Sequence, residues 1–513
     1  MAERGVYTAA EQKMLADFNA RSAQLTGWIG ETPAKAFSYP AHRVASRELI
    51  EHMATAADFK NPLYRDEAYA RNTRWGGIIA PPFYYHCILH GGGICHLTLP
   101  REDGIVVNES VLMVHQSDFY RPIRVNDTFR IWYGPTQIED ITKPGKDSMR
   151  QFKLTRVISY INQRDEVVCT NTDNHFYTVL PPTSDVGIQK SFVMESTNQH
   201  TGKRELAYTQ EYVYSEQDIQ VIEDLYDAEE RRGATIRFWE DVKVGDELEP
   251  VVMGPLTTWD SVVSMQGFGA ACVTMNDLRK MDADTIVVDP VTNIPYQDIE
   301  LHLTDRVARM VNSYSTTLVG PPIFHFLARL ITNWAGDDGF LRKFSWHKLA
   351  NTPFGDTIFG RGKVVRKYIE NGEYLIDIDT CMESVRGFIS NVGPATVSLL
   401  SKDQIFARHE APLFNVGAAF VASKSASVEG SARPPNVEAG IRKGDRIRIK
   451  DRPDWPMPGG YRLAGQKGMV SDTVDSLDGY VLVVLDNDAT GIDTRVPLGF
   501  RVDSIERIQG SRQ

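Results

Sequence analysis

The sequence has few cysteines and no pattern that would pair them. Five cysteines are spread over 513 residues, the number is odd, and no two stand in a C-x-x-C pair. Scattered thiols of this kind are typical of a protein from a reducing compartment, where disulfides are rare. We therefore expect reduced cysteines and a cytoplasmic protein.

The sequence also lacks a long apolar run and an excess of basic charge. No stretch approaches the roughly 18 apolar residues of a transmembrane helix, and the start, MAERGVYTAAEQKMLADF, lacks the apolar core of a signal peptide. Lys and Arg number 56 against 67 Asp and Glu, a formal net charge of −11. Because nucleic-acid binding needs clustered basic surface, we expect neither a membrane nor a nucleic acid as partner.

What is present is an ordinary globular composition, with 42% apolar and 24% charged residues. At this length it predicts several domains. One stretch is rich in Ser, Ala, Gly and Pro, and another ends in a charged pattern of helical period, SEQDIQVIEDLYDAEERRG. These two stretches divide the chain into five segments: a unit at 1–183, a helical connector at 184–235, a unit at 236–420, a linker at 421–440 and a small block at 441–513.

The two large units resemble each other, which indicates an internal duplication. Three matches carry the correspondence: Tyr64 with His302, Ala70-Arg71 with Ala308-Arg309, and Pro81-Pro82 with Pro321-Pro322. Each proline pair precedes an apolar segment of helical period, and strand-like runs follow. We therefore predict an α+β fold in which each unit wraps an antiparallel sheet around one central helix.

The last block, 441–513, differs from the other two. IRKGDRIRIK alternates apolar and polar residues, and GQKGMVSD and GYVLVVLDND continue as short strands between turns. This pattern predicts a small SH3-like β-barrel.

Several segments resemble the MaoC-like dehydratases and hydratases, whose members fold as hot dogs. ADFKNPLYRDEAYARNTRWGGIIAPP is similar to that family's Asp, Asn-Pro and D-x-x-x-A pattern. FWEDVKVGDEL resembles the opening of a second hot-dog unit, and LITNWAGDDGFLRKF and FGDTIFGRGKVVRK resemble its closing strands. The resemblance covers residues from about 25 to 420 and implies a tandem, double hot-dog fold.

The resemblance implies a hydratase or dehydratase that acts on a 2-enoyl-CoA or 3-hydroxyacyl-CoA thioester. CoA is then part of the substrate, and neither a metal nor another cofactor is expected. His302 occupies the position of the family's catalytic His. The expected Asp position holds Gln297, so Asp298, one residue away, is the candidate partner.

In the N-terminal unit, Tyr64 stands at the position of the family's His, and Asp58 precedes it by one residue more than the family spacing. This predicts a non-catalytic half in which Asp58 and Tyr64 help to bind substrate. The family's His-Gly is replaced by Pro81-Pro82 and Pro321-Pro322. Because proline has no N–H, the donor to the thioester oxygen must come from a neighbour, either Gly320 or Ile323.

Two other functions remain open at this point: a thioesterase on the same fold, and a non-catalytic acyl-CoA-binding or scaffold subunit. A cluster around a triple glycine, His86, Cys87, His90, Cys95 and His96, is interpreted as a packed helix end rather than as a metal site. Exposed sheet edges predict a homodimer or a higher homo-oligomer.

Overall fold

The structure is a computed structural model. It describes residues 7–29, 42–89, 99, 106–109, 114–142, 150–180, 195–197, 204–206, 209–269, 274–281, 286–311, 313–403, 440–473, 477 and 479–508. Residues 421–439 of the predicted linker lie outside these ranges, and so do His90, Cys95 and His96.

The N-terminal unit is a curved antiparallel sheet with helices on one side. Its helices are α1 Ala9–Leu25, α2 Arg47–Ala57, α3 Glu67–Arg71 and α4 Tyr85–Ile88. Its strands are β1 Gly27–Trp28, β2 Val106–Glu109, β3 Val114–Phe119, β4 Phe129–Tyr133, β5 Gln137–Asp140, β6 Arg150–Asn162 and β7 Val167–Leu180. The β6–β7 hairpin lies at the centre of this sheet. β4 and β5 pair with β6, and β2 and β3 pair with β7.

The double proline of this unit does not start a helix, so the sequence prediction is wrong here. Tyr84 donates its N–H to the Pro81 carbonyl at 3.2 Å, and Phe83 has a φ of 66°. A left-handed residue interrupts a right-handed helix. The described helix is therefore the short α4, which begins after Tyr84.

The connector contains β8 Glu195–Thr197, β9 Arg204–Leu206 and α5 Glu216–Asp227. The predicted helix is confirmed. It begins with a capping box between Ser215 and Asp218, and its Ile222 is buried. The helix ends at Asp227, before Gly233, and the chain beyond it makes ion pairs with both large units through Glu229 and Arg231.

The second unit contains the predicted central helix. Its helices are α6 Thr258–Gly267, α7 Met275–Met281, α8 Asp305–Met310 and α9 Gly320–Ala335. Its strands are β10 Val251–Met253, β11 Ile286–Val288, β12 Pro295–Gln297, β13 Phe340–Lys348, β14 Ile358–Glu370, β15 Glu373–Ser384, β16 Ile389–Val392 and β17 Ala395–Leu399. The antiparallel order β10–β14–β15–β17–β13 wraps α9, whose Phe324, Leu327, Leu330 and Trp334 are buried. The α+β class and the hot-dog arrangement are confirmed.

The sheets of the two units join into one. β3 pairs with β13 in antiparallel register, from Asp118 opposite Lys343 to Val114 opposite His347. Beneath this seam Phe83 packs on Phe324 and Phe344, with ring centroids 5.3 and 5.1 Å away. The two units therefore share one hydrophobic core.

The last block is a small sheet packed on the second unit. It contains β18 Arg446–Ile449, β19 Lys467–Thr473, β20 Tyr480–Leu485, β21 Leu498–Arg501, a 3-10 turn Val502–Ser504 and β22 Ile505–Arg507. The antiparallel order is β22–β18–β19–β20–β21. Its assignment as an SH3-like barrel stays a prediction.

Neither a metal-binding cluster nor a membrane-spanning helix is found in the described ranges. Within them, no three His, Cys, Asp or Glu side chains are grouped so as to hold a metal ion. None of the helices in that part of the chain is long and apolar enough to cross a membrane.

Candidate active site

One hydrogen bond holds the His302 ring and determines its tautomer. It ends a one-turn 3-10 helix, Asp298–His302, that follows β12 directly. Its Nδ1 lies 2.8 Å from the carbonyl oxygen of Thr317. Because a carbonyl can only accept a hydrogen bond, Nδ1 carries the proton and Nε2 of the neutral ring has a free lone pair.

The environment keeps this imidazole neutral. Burial lowers the pKa of His302 to about 4, against the rise caused by the Thr317 hydrogen bond, and the charge of Lys348 lowers it further. A neutral imidazole at physiological pH is the form that accepts a proton. His302 is therefore set up as a base rather than as an acid.

The N-terminus of α9 lies next along the chain from Thr317. The first N–H groups of a helix have no intrahelical partner, but Pro321 and Pro322 have none to offer. Gly320 and Ile323 each keep an N–H at this end of the helix. Both predicted donors therefore stay open, and the side chain of Ile323 is buried.

The relation of Asp298 to His302 is indirect. Asp298 is buried at the start of the same 3-10 helix. In a helix of three residues per turn, side chains four apart point a third of a turn away from each other. The charged group that acts on the pKa of His302 is Lys348. Partnership between Asp298 and His302 stays a prediction.

A two-stranded hairpin precedes this site in the chain. β11 and β12 pair over Ile286–Val288 and Pro295–Gln297, and Asp289 near the turn lies 2.5 Å from Nε of Arg306 on α8. This ion pair ties the hairpin to the helix that follows His302. The hairpin therefore has a fixed place beside the predicted site.

The N-terminal counterpart has a different chemistry. Asp58 is buried, and its Oδ1 lies 2.8 Å from Nη2 of Arg231 while its Oδ2 accepts a hydrogen bond of 2.9 Å from Asn61. Tyr64 is also buried, and burial raises the pKa of its phenol well above the usual value. Burial raises the pKa of the Asp58 carboxyl as well, against the lowering caused by Arg231. The interpretation of this unit as a non-catalytic half stays a prediction.

A cavity of about 680 Å³, including its open mouth, lies against this N-terminal counterpart. Tyr64, Phe83 and Phe119 of the first unit line it together with Asp337 and Phe340 of the second. His302, Asp298, Gly320 and Ile323 do not contribute to its wall. The structure thus brings Tyr64 to a cavity, with Asp58 hydrogen-bonded to Asn61 of the same wall, and places His302 beside Thr317, outside that cavity.

The sequence analysis did not anticipate three residues that contact the candidate site residues or line the cavity: Thr317, Arg231 and Asp337. Arg231 reaches Asp58 from the connector across 173 positions of sequence, and no local pattern announces such a contact. Asp337 follows α9 in the segment LITNWAGDDGFLRKF, which the sequence analysis used only as a marker of the fold. Two adjacent acidic residues between glycines after a buried helix are a signal that deserved weight.

A family model and several solved structures are similar to this chain. The family model described as FAS1-like, dehydratase domain region, matches residues 35–171. A solved MaoC-like dehydratase is 16% identical, with a TM-score of 0.43, and the match covers 70% of this chain and 95% of that one. The predicted resemblance to the MaoC-like dehydratases is confirmed.

Two more solved structures were found. A MaoC domain protein dehydratase from Chloroflexus aurantiacus is 12% identical over 70% of this chain and 93% of its own, with a TM-score of 0.42. A double hot-dog protein from Mycobacterium tuberculosis is 11% identical over 69% and 92%, with a TM-score of 0.37. Comparison with curated proteins gave no match.

The family match falls on the unit that holds Tyr64, not on the unit that holds His302. Residues 35–171 include Asp58, Tyr64 and the first-unit wall of the cavity, whereas His302 and Gly320 lie in the duplicated unit. The similarity to MaoC-like dehydratases therefore does not choose between the two sites. The choice depends on the protonation and hydrogen bonding of the residues themselves.

Proposed function

We propose that the protein is a hydratase or dehydratase that adds water to a 2-enoyl-CoA thioester or removes it from a 3-hydroxyacyl-CoA thioester. The observation that carries this proposal is the state of His302. Its Nδ1–H is bound to the Thr317 carbonyl, so Nε2 is a free base. The Thr317 carbonyl that accepts this bond lies in the loop that leads to the N–H of Gly320, at the start of a buried helix.

In the dehydration direction, Nε2 of His302 takes a proton from C2 of the thioester. The carbonyl oxygen gains negative charge, which the N–H of Gly320 and the positive end of the α9 dipole stabilise. The C3–O bond then breaks, the hydroxyl leaves with that proton as water, and His302 returns to its neutral form. Hydration is the reverse, and Asp298 orients the water. The reaction causes no net oxidation or reduction. It therefore needs no redox cofactor, and CoA takes part only as the acyl carrier of the substrate.

The role of the Gly320 N–H as donor to the thioester oxygen can be tested by removing that one N–H. Gly320→Pro removes the N–H at a helix position where proline is well accepted, while Gly320→Ala keeps it. A Cβ at Gly320 meets only Phe324, at 3.7 Å, which is ordinary contact. We expect the proline variant to lose about 10²-fold in kcat and the alanine variant to stay close to wild type. Equal activity of the two folded variants would exclude Gly320 as the donor.

The reaction class is tested by mass spectrometry of a panel of 2-enoyl-CoA thioesters and both 3-hydroxyacyl-CoA enantiomers. Gain or loss of one water by the wild-type protein supports the proposal. Release of free CoA identifies a thioesterase instead. Tight binding of thioesters that remain unchanged identifies a non-catalytic binding subunit.

We also propose that the chain acts as a homo-oligomer in the cytoplasm. Light scattering coupled to gel filtration tests the first part, and a mass of one chain would contradict it. Imaging of a tagged chain in its own cell tests the second.

A further inference from the structure

Asp337 is a carboxylate that the two units and the connector hold in place at the cavity. Its N–H donates to the Gly233 carbonyl at 2.9 Å, and its carbonyl oxygen accepts a hydrogen bond of 2.7 Å from Nε1 of Trp75. The phenol of Tyr69 donates to its Oδ2. Asp337 is 6% exposed, so its position is set by the fold and not by solvent.

The second oxygen of Asp337 is a hydrogen-bonding position of this wall that no described side chain fills, and the buried phenol oxygen of Tyr84 is another. Its Oδ1 receives no hydrogen bond from the described residues. Asn61 is already engaged with Asp58 and with the N–H of Leu63. Thr332 donates to the Ala328 carbonyl at 3.0 Å.

A ligand that displaces solvent from this oxygen must supply a donor, because a desolvated acceptor without one is costly. Burial accordingly raises the pKa of Asp337. A ligand donor would compensate this cost.

The rest of the cavity is apolar and rich in aromatic rings. Phe83 and Phe119 meet edge to face with centroids 5.3 Å apart, and Phe340 lies 5.7 Å from Trp75 on the other side. Ala80 and Ile123 complete the lining where the walls approach. Such walls favour a planar or ring-shaped apolar body.

We propose that this cavity binds a neutral aromatic or alicyclic molecule whose single hydroxyl group donates a hydrogen bond to Asp337. An anion is disfavoured, because the cationic side chain at the cavity, Arg121, is paired with Glu166 at 3.7 Å and Asp337 would repel it. The proposal concerns binding and does not rest on hydratase chemistry at His302.

The test compares two probes of the same shape, 4-propylphenol and propylbenzene, by calorimetric titration of the full chain. We expect the phenol to bind wild type roughly 10- to 100-fold more tightly, as for a hydrogen bond to a charged group. In Asp337→Asn the amide presents either a donor or an uncharged acceptor to the hydroxyl. We therefore expect the preference to fall to about threefold or less.

The adjacent carboxylate provides a matched control. Asp338 accepts from the N–H of Arg74 at 3.0 Å, a role that an amide oxygen can keep, and it does not line the cavity. Asp338→Asn should therefore retain the preference for the phenol. Ala80→Met, which fills the cavity, should weaken both probes about tenfold or more and serves if Asp337→Asn does not fold. Equal affinity of the two probes for wild type, no binding of either, or an unchanged preference in Asp337→Asn would overturn the proposal.

Discussion

His302→Ala is expected to lower kcat by about 10²- to 10⁴-fold, the usual contribution of a positioned general base. The imidazole has one nitrogen fixed on the Thr317 carbonyl, and the other is the base. Removing the ring removes the proton acceptor, while the groups that bind the thioester stay. The loss should therefore appear in kcat far more than in KM, and steady-state kinetics with the active substrate of the panel measures it.

His302→Asn separates the structural role of the ring from its chemical role. An asparagine amide can keep the hydrogen bond to the Thr317 carbonyl in place of Nδ1–H, but it has nothing at the position of Nε2. We expect this variant to melt at the wild-type temperature and to be as inactive as His302→Ala. If His302→Asn retained substantial activity, His302 would be a structural residue and the base would have to be sought elsewhere.

The pH dependence gives a second, independent reading of the same group. Burial lowers the pKa of His302 to about 4, and the neutral ring is the active form of a base. The value of kcat/KM should therefore be flat from about pH 5 upward and fall as the pH drops through about 4. A general acid would give the opposite sign, with activity that rises as the pH falls.

The features that could be predicted are those that a sequence pattern or an internal match indicates. The spacing of Phe324, Leu327 and Leu330 predicts a buried helix, and α9 is that helix. The match of Tyr64 to His302 predicts two unequal halves, and the buried Asp58–Arg231 pair is consistent with that difference. The helix is determined by residues close in sequence, whereas the Asp58–Arg231 contact joins segments 173 positions apart.

The parts that could not be predicted depend on contacts between distant segments or on backbone conformation. Phe83 adopts a φ of 66° because the tertiary packing of its ring between two units outweighs the preference of a non-glycine residue. Tyr69 and Asp337 are 268 positions apart and meet where the two units pack together. A cavity wall assembled in this way leaves no periodic or motif signal in one sequence.

Arg386→Met is expected to lower the free energy of unfolding by about 3–5 kcal/mol, the usual cost of leaving a buried charge without its partner. Arg386 lies in the β15–β16 turn, and its Nε is 2.7 Å from Oδ1 of Asp356, with both side chains almost completely buried. The same guanidinium donates to the carbonyls of Thr490 in the last block and Gln210 in the connector, at 2.7 and 2.9 Å. One side chain therefore links three parts of the chain.

The expected loss of stability is large because the Arg386–Asp356 pair is buried, and an exposed ion pair of the same chain serves as the control. Arg446 pairs with Asp486 at the surface of the last block, where solvent screens the interaction, so Arg446→Met should cost less than about 1 kcal/mol. Chemical denaturation followed by fluorescence and circular dichroism measures both variants. Adding Asp356→Leu to Arg386→Met should restore part of the lost stability, because it removes the uncompensated carboxylate. If the two arginine variants were equally stable, the link between the second unit and the last block would depend on its apolar contacts alone.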